Sequence, residues 1–145
     1  VESVVRRFNL EIGRRSSSSA KKWVNVVQHH SVDECYTMLR KEGKTIMATA
    51  FTKKAKDLYQ LDLASNCALV FGNEKYGLTE EAIQKAEITF TIPQHGMIKS
   101  LNISVACAIC LYESVRQRDK AGLYNTPQLN TTEIDYLRNN WLKLE

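Results

Sequence analysis

The residues of this chain with the means to do chemistry lie in a few short stretches. Gly72-Asn-Glu-Lys-Tyr-Gly77 follows the apolar run Cys67 to Phe71, which sets a glycine-bounded loop with one carboxylate, Glu74, at the carboxyl end of a predicted strand. Ligands of open α/β sheets bind in crevices at that end. Gly72 and Gly96 would let the backbone come close to such a ligand, and the plainer reading is two tight turns. Cys107 and Cys110 form a C-x-x-C spacing that suggests redox chemistry or half a metal site. No second pair completes a zinc site, and the flanking ISVA and AICLY read as a buried helix, so the four cysteines (Cys35, Cys67, Cys107, Cys110) are expected to be small core residues. His29, His30 and His95 are candidate acid–base groups, for which surface or loop roles are preferred. Arg14-Arg15 and Lys21-Lys22 bracket Ser16 to Ser19, a mobile basic loop on this reading, suited to phosphate contacts that bind well and specify little sequence.

Strands and helices must hold these groups in place. Short β-branched runs predict strands near Glu2 to Val5, Trp23 to Val27, Thr45 to Ala50, Cys67 to Phe71 and Ile88 to Ile92. Helical patterns alternate with them, which predicts an α/β domain with a mostly parallel sheet. Ser31-Val-Asp-Glu34 reads as a capping box opening a helix from Val32 to Lys41, stopped by Gly43. Thr79 is the expected N-cap of a helix with Glu80 and Glu81 in its first turn. Leu101 to about Arg118 is apolar nearly all round at first, so its first turns are expected to be buried. Beyond Gly122, the spacing of Ile134, Leu137, Trp141 and Leu144 predicts an amphipathic helix that packs on the domain or on a second subunit.

The 145 residues, 43% of them hydrophobic and 25% charged, fit one compact domain and argue against disorder. The net charge of +4 is uneven, because residues 1–60 carry +6 and the remainder −2. A basic first half suits a polyanionic partner, although a solvated surface has the same composition. No stretch approaches a membrane span, and the cysteine usage points to an intracellular, reducing compartment. Val1, leading straight into an alternating segment without a signal-peptide pattern, reads as the cut edge of a longer chain.

Two segments are more specific than periodicity: Leu69-Val-Phe-Gly-Asn-Glu-Lys-Tyr-Gly-Leu-Thr-Glu80, and Ile92-Pro-Gln-His-Gly-Met-Ile-Lys-Ser-Leu-Asn-Ile-Ser-Val-Ala106. Together they resemble the second and third motifs of the SpoU/TrmH family of RNA 2′-O-methyltransferases, within the SPOUT superfamily. That family has a strand ending in Gly-x-Glu-x-x-Gly, then an Ile-Pro strand, a Gly-Met turn and a Ser-Leu-Asn-x-Ser-x-Ala helix start. The Arg116-Gln-Arg118 at the helix end also agrees. The resemblance covers roughly Trp23 to Tyr124 and is strongest to the tRNA D-loop guanosine enzymes.

The resemblance implies a SPOUT-type α/β knot, a mostly parallel sheet with a C-terminal trefoil knot, over residues 1–124, with a helical extension over residues 125–145. It implies S-adenosyl-L-methionine as cofactor, held largely by backbone groups at positions matching Thr49, Ala50, Gly72, Ile92, Met97 and Leu101. It places Glu74, Ser100 and Asn102 at the active site, aligning a ribose 2′-hydroxyl with the methyl group, an effect that accounts for much of a transfer reaction's rate. Ser100 could equally cap the following helix. Arg14, Arg15, Lys21 and Lys22 align with a loop that reaches toward substrate RNA and ends in a Trp, here Trp23, read as core. The implied partners are RNA, expected to be tRNA, and a second copy of the chain, with the last helix a candidate contact; no membrane or metal is called for.

One departure matters. The family's first motif, a strand followed by an Asn and a helical Arg that activates the ribose hydroxyl, belongs ahead of Val1-Glu-Ser-Val-Val5, and no Arg here has its context. The domain is therefore expected to lack its first strand and helix, exposing a sheet edge or core surface. A non-catalytic RNA-binding or cofactor-binding subunit is the alternative. A Rossmann-type dinucleotide enzyme fares worse, because no G-x-G-x-x-G follows the first strand, and no P-loop is present.

Overall fold

The computed structural model describes residues 26–96 and 101–141. It divides into two compact units, Tyr36–Leu123 and a second formed by Val1–Cys35 with Tyr124–Glu145. Helix α1 (Val32–Lys41) is followed by β1 (Thr45–Thr49), β2 (Lys56–Asp57), a single 3-10 turn (Leu58–Gln60), β3 (Cys67–Val70), α2 (Glu80–Gln84), β4 (Ile88–Thr91), α3 (Ile103–Lys120) and α4 (Thr131–Trp141).

The strands form a four-stranded sheet in the order β2-β4-β1-β3, and every pairing is parallel. β1 is central: Thr45 to Ala48 pair with Cys67 to Val70, and Met47 to Thr49 with Ile88 to Phe90. Flanked on both sides, its residues Ile46, Met47 and Ala48 are fully buried, as a continuous apolar run in a parallel sheet should be. The expected strands at Thr45, Cys67 and Ile88 are present, each one residue shorter at its carboxyl end. The expected strand Glu2 to Val5 lies outside the described residues. So does most of Trp23 to Val27, of which Val26 and Val27 are not in a strand. β2 carried no apolar alternation to announce it, being two exposed residues, Lys56 and Asp57, paired with Phe90 and Thr91.

Helix α1 begins and ends where its local signals place it. The Ser31 hydroxyl accepts from the Glu34 N–H at 3.1 Å, but the Glu34 carboxylate reaches one residue further back than a capping box requires, accepting from His30 N–H at 2.9 Å. That bond, with the nearby histidines, holds Glu34 below the usual carboxylate range. Gly43, at φ +70°, turns the chain into β1. The buried Tyr36 donates its hydroxyl to Ala82 O at 3.0 Å, tying α1 to α2. The core is completed by Leu58, Leu61 and Leu63, which cluster with Met47, Phe90 and Cys110.

Helix α3 departs from expectation. Its first turns are not buried, since Val105 stays exposed, as do Leu111, Tyr112 and Val115 further along. The buried side is the face of Cys110 and Glu113, one helical turn apart. Next on that face, Gln117 accepts from Leu63 N–H at 2.8 Å and donates to Leu61 O at 3.0 Å, while Ser114 donates to Leu63 O. Polar side chains thus anchor the helix to the Leu61–Leu63 backbone by supplying partners to Leu63 N–H and to the carbonyls of Leu61 and Leu63. Helix α4 has Ile134 and Leu137 half-buried and Tyr136 exposed; Leu144 lies outside the described residues.

Candidate cofactor and substrate site

The carboxyl ends of β1, β3 and β4 and the start of α3 enclose a cavity of about 470 Å³. Its walls include Thr49 at the end of β1 with Ala50 to Thr52 beyond it, Phe71 to Glu74 and Tyr76 to Leu78 after β3, Glu80 and Ile83 of α2, Phe90 and Thr91 of β4 with Ile92 and Gln94 beyond it, and Leu101, Ile103 and Ala106. This is the crevice expected of an open parallel sheet, and its size lies within the roughly 300–1,000 Å³ of small-molecule sites. Apolar rings and aliphatic chains line its depth, with backbone polar groups supplied by the strand ends.

Gly72 opens the loop after β3 and cannot be replaced there. A Cβ on it would lie 2.2 Å from the Gly77 carbonyl carbon and 2.3 Å from Leu78 N. The loop folds back because Asn73 and Gly77 exchange two backbone hydrogen bonds, at 3.0 and 2.7 Å, and Gly77 takes φ +68°. Asn73 Oδ1 also accepts from Lys75 N–H at 2.8 Å. Glycine at 72 is thus required first by the loop's own closure. Gly96 differs, since an added Cβ there meets nothing within 4 Å. Thr79, accepting from Ala82 N–H at 3.3 Å, caps α2 as expected.

The closed loop presents Glu74 to Asn102 across 28 positions of sequence: Asn102 Nδ2 donates to Glu74 Oε1 at 3.0 Å. The other end of the Asn102 amide is occupied, because Oδ1 accepts from Ser104 N–H at 2.9 Å and caps α3. Since the helix N–H requires the carbonyl end of the amide, the NH₂ end must face the carboxylate. Both residues are exposed. Thr49, half-buried, donates its hydroxyl to Val70 O at 3.1 Å, which holds the ends of β1 and β3 together beneath the cavity.

Of the residues singled out from sequence, Thr49, Ala50, Gly72, Glu74, Ile92 and Leu101 line this cavity, and Asn102 is bonded to Glu74 beside it. Met97, Ser100, Arg14, Arg15, Lys21 and Lys22 lie outside the described residues. The cap of α3 falls on Asn102. Sequence reasoning missed Phe51, Thr52, Tyr76, Leu78 and Gln94, which neighbour the chosen residues but belong to types with no chemical signature of their own. His29 lies in a loop, as one of the two preferred roles has it, but not at the surface: it is buried at 4% exposure, its Nδ1 lies 3.7 Å from Glu34 Oε1, and neither ring nitrogen has a hydrogen-bond partner among the described residues. His30 and His95 are exposed. Burial pushes the Cys107 thiol up and, with Cys107 as neighbour, drives Cys110 up to about 12, which leaves the pair without thiolate character. No group of three His, Cys, Asp or Glu among the described residues is gathered for a metal.

Comparison with known proteins agrees with this geometry. The model of the SpoU rRNA Methylase family matches residues 6–112. A tRNA (guanosine(18)-2′-O)-methyltransferase of Thermus thermophilus is 39% identical over 128 residues, covering 88% of this chain and 66% of the relative. The crystal structure of the A. aeolicus TrmH/SpoU tRNA modifying enzyme superposes with a TM-score of 0.78 at 33% identity, covering 85% of this chain and 62% of that one. An AdoMet-bound rRNA methyltransferase from Sinorhizobium meliloti aligns at a TM-score of 0.56 and 27% identity, covering 64% of this chain and 35% of that one. This chain therefore spans less than two thirds of the length of the first two, and about a third of the last. With its parallel sheet, its glycine-closed loop and the match over residues 6–112, the chain belongs to the SpoU rRNA Methylase family.

Proposed function

We propose that this chain is the cofactor-binding and catalytic part of an RNA ribose 2′-O-methyltransferase that uses S-adenosyl-L-methionine, with a tRNA guanosine as its target. The observation that carries the reading is the Glu74–Asn102 hydrogen bond on the rim of a cavity walled by the Gly72 loop. Family membership and the activities named for the Thermus and Sinorhizobium proteins support it.

The residues present fit the cofactor. Phe71, Ile92, Leu101 and Ala106 offer apolar walls for a nucleoside, while Thr49, Ala50 and Gly72 line the cavity at the ends of β1 and β3, where the strand backbone ends. Met97 belongs to the same set by family position. Bound there, the cofactor supplies an electrophilic methyl group on a sulfonium. Glu74 and Asn102 then act by alignment: the carboxylate accepts from a ribose hydroxyl and the amide keeps the carboxylate aimed. Ser100 completes this group by family position. Arg14, Arg15, Lys21 and Lys22 are the proposed RNA contacts of the first half.

A second reading is favoured by one observation. Among the described residues, none of the cavity walls is an Arg, Lys or His, so no described wall residue matches the arginine to which the family resemblance assigns activation of the hydroxyl. The chain would then bind cofactor and RNA but transfer no methyl group without a further arginine. Calorimetric titration with S-adenosylhomocysteine tests the shared part, and absence of binding would defeat both readings. Methylation of unmodified tRNA by this chain and by an N-terminally extended form separates them, since transfer only by the extended form supports the second.

We further propose that the chain closes a C-terminal trefoil knot, that its division falls near residue 124, that it works in a reducing compartment and that it pairs as a homodimer. Support for pairing comes from the exposed Val105, Leu111, Tyr112 and Val115 along one side of α3. Light scattering at micromolar concentration is expected to give twice the chain mass, and a monomer would reject the dimer.

A further inference from the structure

Two large aromatic side chains stand at the cavity mouth without cover. Phe51 is 74% exposed and Tyr76 67% exposed, yet both line the same cavity, from loops at the carboxyl ends of the neighbouring strands β1 and β3. Single exposed aromatics need no explanation, but these two are held in place. Phe51 lies between two anchored residues: Ala50 N–H donates to Phe90 O at 3.0 Å, and Thr52 N–H donates to Ala50 O while its hydroxyl pairs with that of Thr89 at 2.9 Å. Tyr76 rides on the closed Asn73–Gly77 loop. Cations accompany both rings. Lys53, Lys54 and Lys56, two to five positions after Phe51, are exposed, and Lys75 Nζ lies 5.0 Å from the centroid of the Tyr76 ring.

Aromatic faces interleaved with lysines are the combination that holds unpaired nucleotides, in which bases stack on rings and cations meet phosphates. A ribose hydroxyl can be brought beside the cavity only if its nucleotide leaves the stack, and a base taken out of its stack needs a new surface. Building on the function proposed above, we infer that Phe51 and Tyr76 form a stacking lip for the unstacked base at the methylation site, with Lys53 and Lys54 neutralising the flanking phosphates. This places RNA recognition on the rim of the cavity itself, in addition to the basic segment at residues 14–22.

The test is a fluorescence-anisotropy titration of an unmodified tRNA transcript with the full chain, in saturating S-adenosylhomocysteine and at several salt concentrations. F51A and Y76A are each expected to weaken tRNA binding about tenfold, while F51Y and Y76F stay within about twofold of the parent. The K53A/K54A double variant is expected to lower the slope of log affinity against log salt by roughly 1.4–1.8. Wild-type affinity in both alanine variants overturns the lip. So does a loss of S-adenosylhomocysteine affinity as large as the loss for tRNA, because the rings would then be walls of the nucleoside cavity. Unchanged tRNA affinity with a lower mass in sedimentation would make the rim a protein contact instead, and the inference fails. A parent chain that takes up S-adenosylhomocysteine but no tRNA sinks the lip and leaves cofactor binding standing; one that takes up neither sinks the proposed function as well.

Discussion

Asn102 serves two partners with one amide, and its substitution separates them. An aspartate there can still accept from Ser104 N–H and cap α3, but it has no N–H for Glu74 and sets a second negative charge against it. N102D is therefore expected to melt within a few degrees of the parent while losing most methyl transfer. N102A should lose transfer and also about 1 kcal/mol of stability with the cap. Equal activity in N102D, measured as methyl incorporation into tRNA, would remove the alignment role. Cys110 gives a second check at this scale. With its thiol buried and its pKa near 12, it should resist iodoacetamide at pH 8 until the chain is unfolded, as read by mass spectrometry. Glu74, Gly72 and Asn102 were legible in sequence because their spacing is tied to a motif. Phe51 and Tyr76 were not, because nothing in a sequence distinguishes an aromatic kept in solvent from one sent to the core.

The strands of the sheet were legible because β-branched apolar runs bounded by turns leave few alternatives, and α1 was legible down to its end residues. β2 was missed because two polar residues carry no period, and the exposure of α3 was misjudged for a related reason. Counting apolar residues on α3 locates Val105, Leu111 and Val115, whereas the buried side is fixed by Glu113 and Gln117, whose partners are backbone atoms 50 or more positions earlier and the neighbouring Arg116. Q117A leaves Leu63 N–H and Leu61 O without that partner, so it is expected to cost about 1–3 kcal/mol in urea denaturation, far more than an exposed Gln to Ala change. Glu113 adds a pH signature. Hydrogen bonds from Arg116 and then Gln117 hold its carboxyl down to about 2 from the ordinary 4.5, outweighing the opposing effect of burial. The folded form thus favours the carboxylate. Its stabilisation is complete above about pH 4.5 and is lost as the pH falls toward 2. The difference in melting temperature between parent and E113Q should accordingly shrink across that window, and a constant difference would show that the ionised form contributes nothing.

At the scale of the whole chain, the sequence foretold an α/β layer with a parallel sheet and a ligand crevice at its carboxyl end, and both are present. The order β2-β4-β1-β3 was not foretold, because local patterns record which residues form strands and not which strands become neighbours. That order brings the loops after β1, β3 and β4 around one cavity, so a ligand there bridges segments from Thr49 to Ala106 and binds only the folded chain. S-adenosylhomocysteine at one hundred times its dissociation constant should add about 2.7 kcal/mol, visible as a rise of several degrees in the unfolding midpoint. G72A, which cannot close its loop, should show no such rise. The two hydrogen bonds that close Asn73–Gly77 run within the loop's own backbone and draw on nothing outside it, and this bears on kinetics. A receptor wall closed by its own bonds adds no ordering step after encounter. In stopped-flow mixing, the observed rate should accordingly climb in proportion to ligand concentration with no plateau, and the slow step in the catalytic cycle would then come after the cofactor is in place.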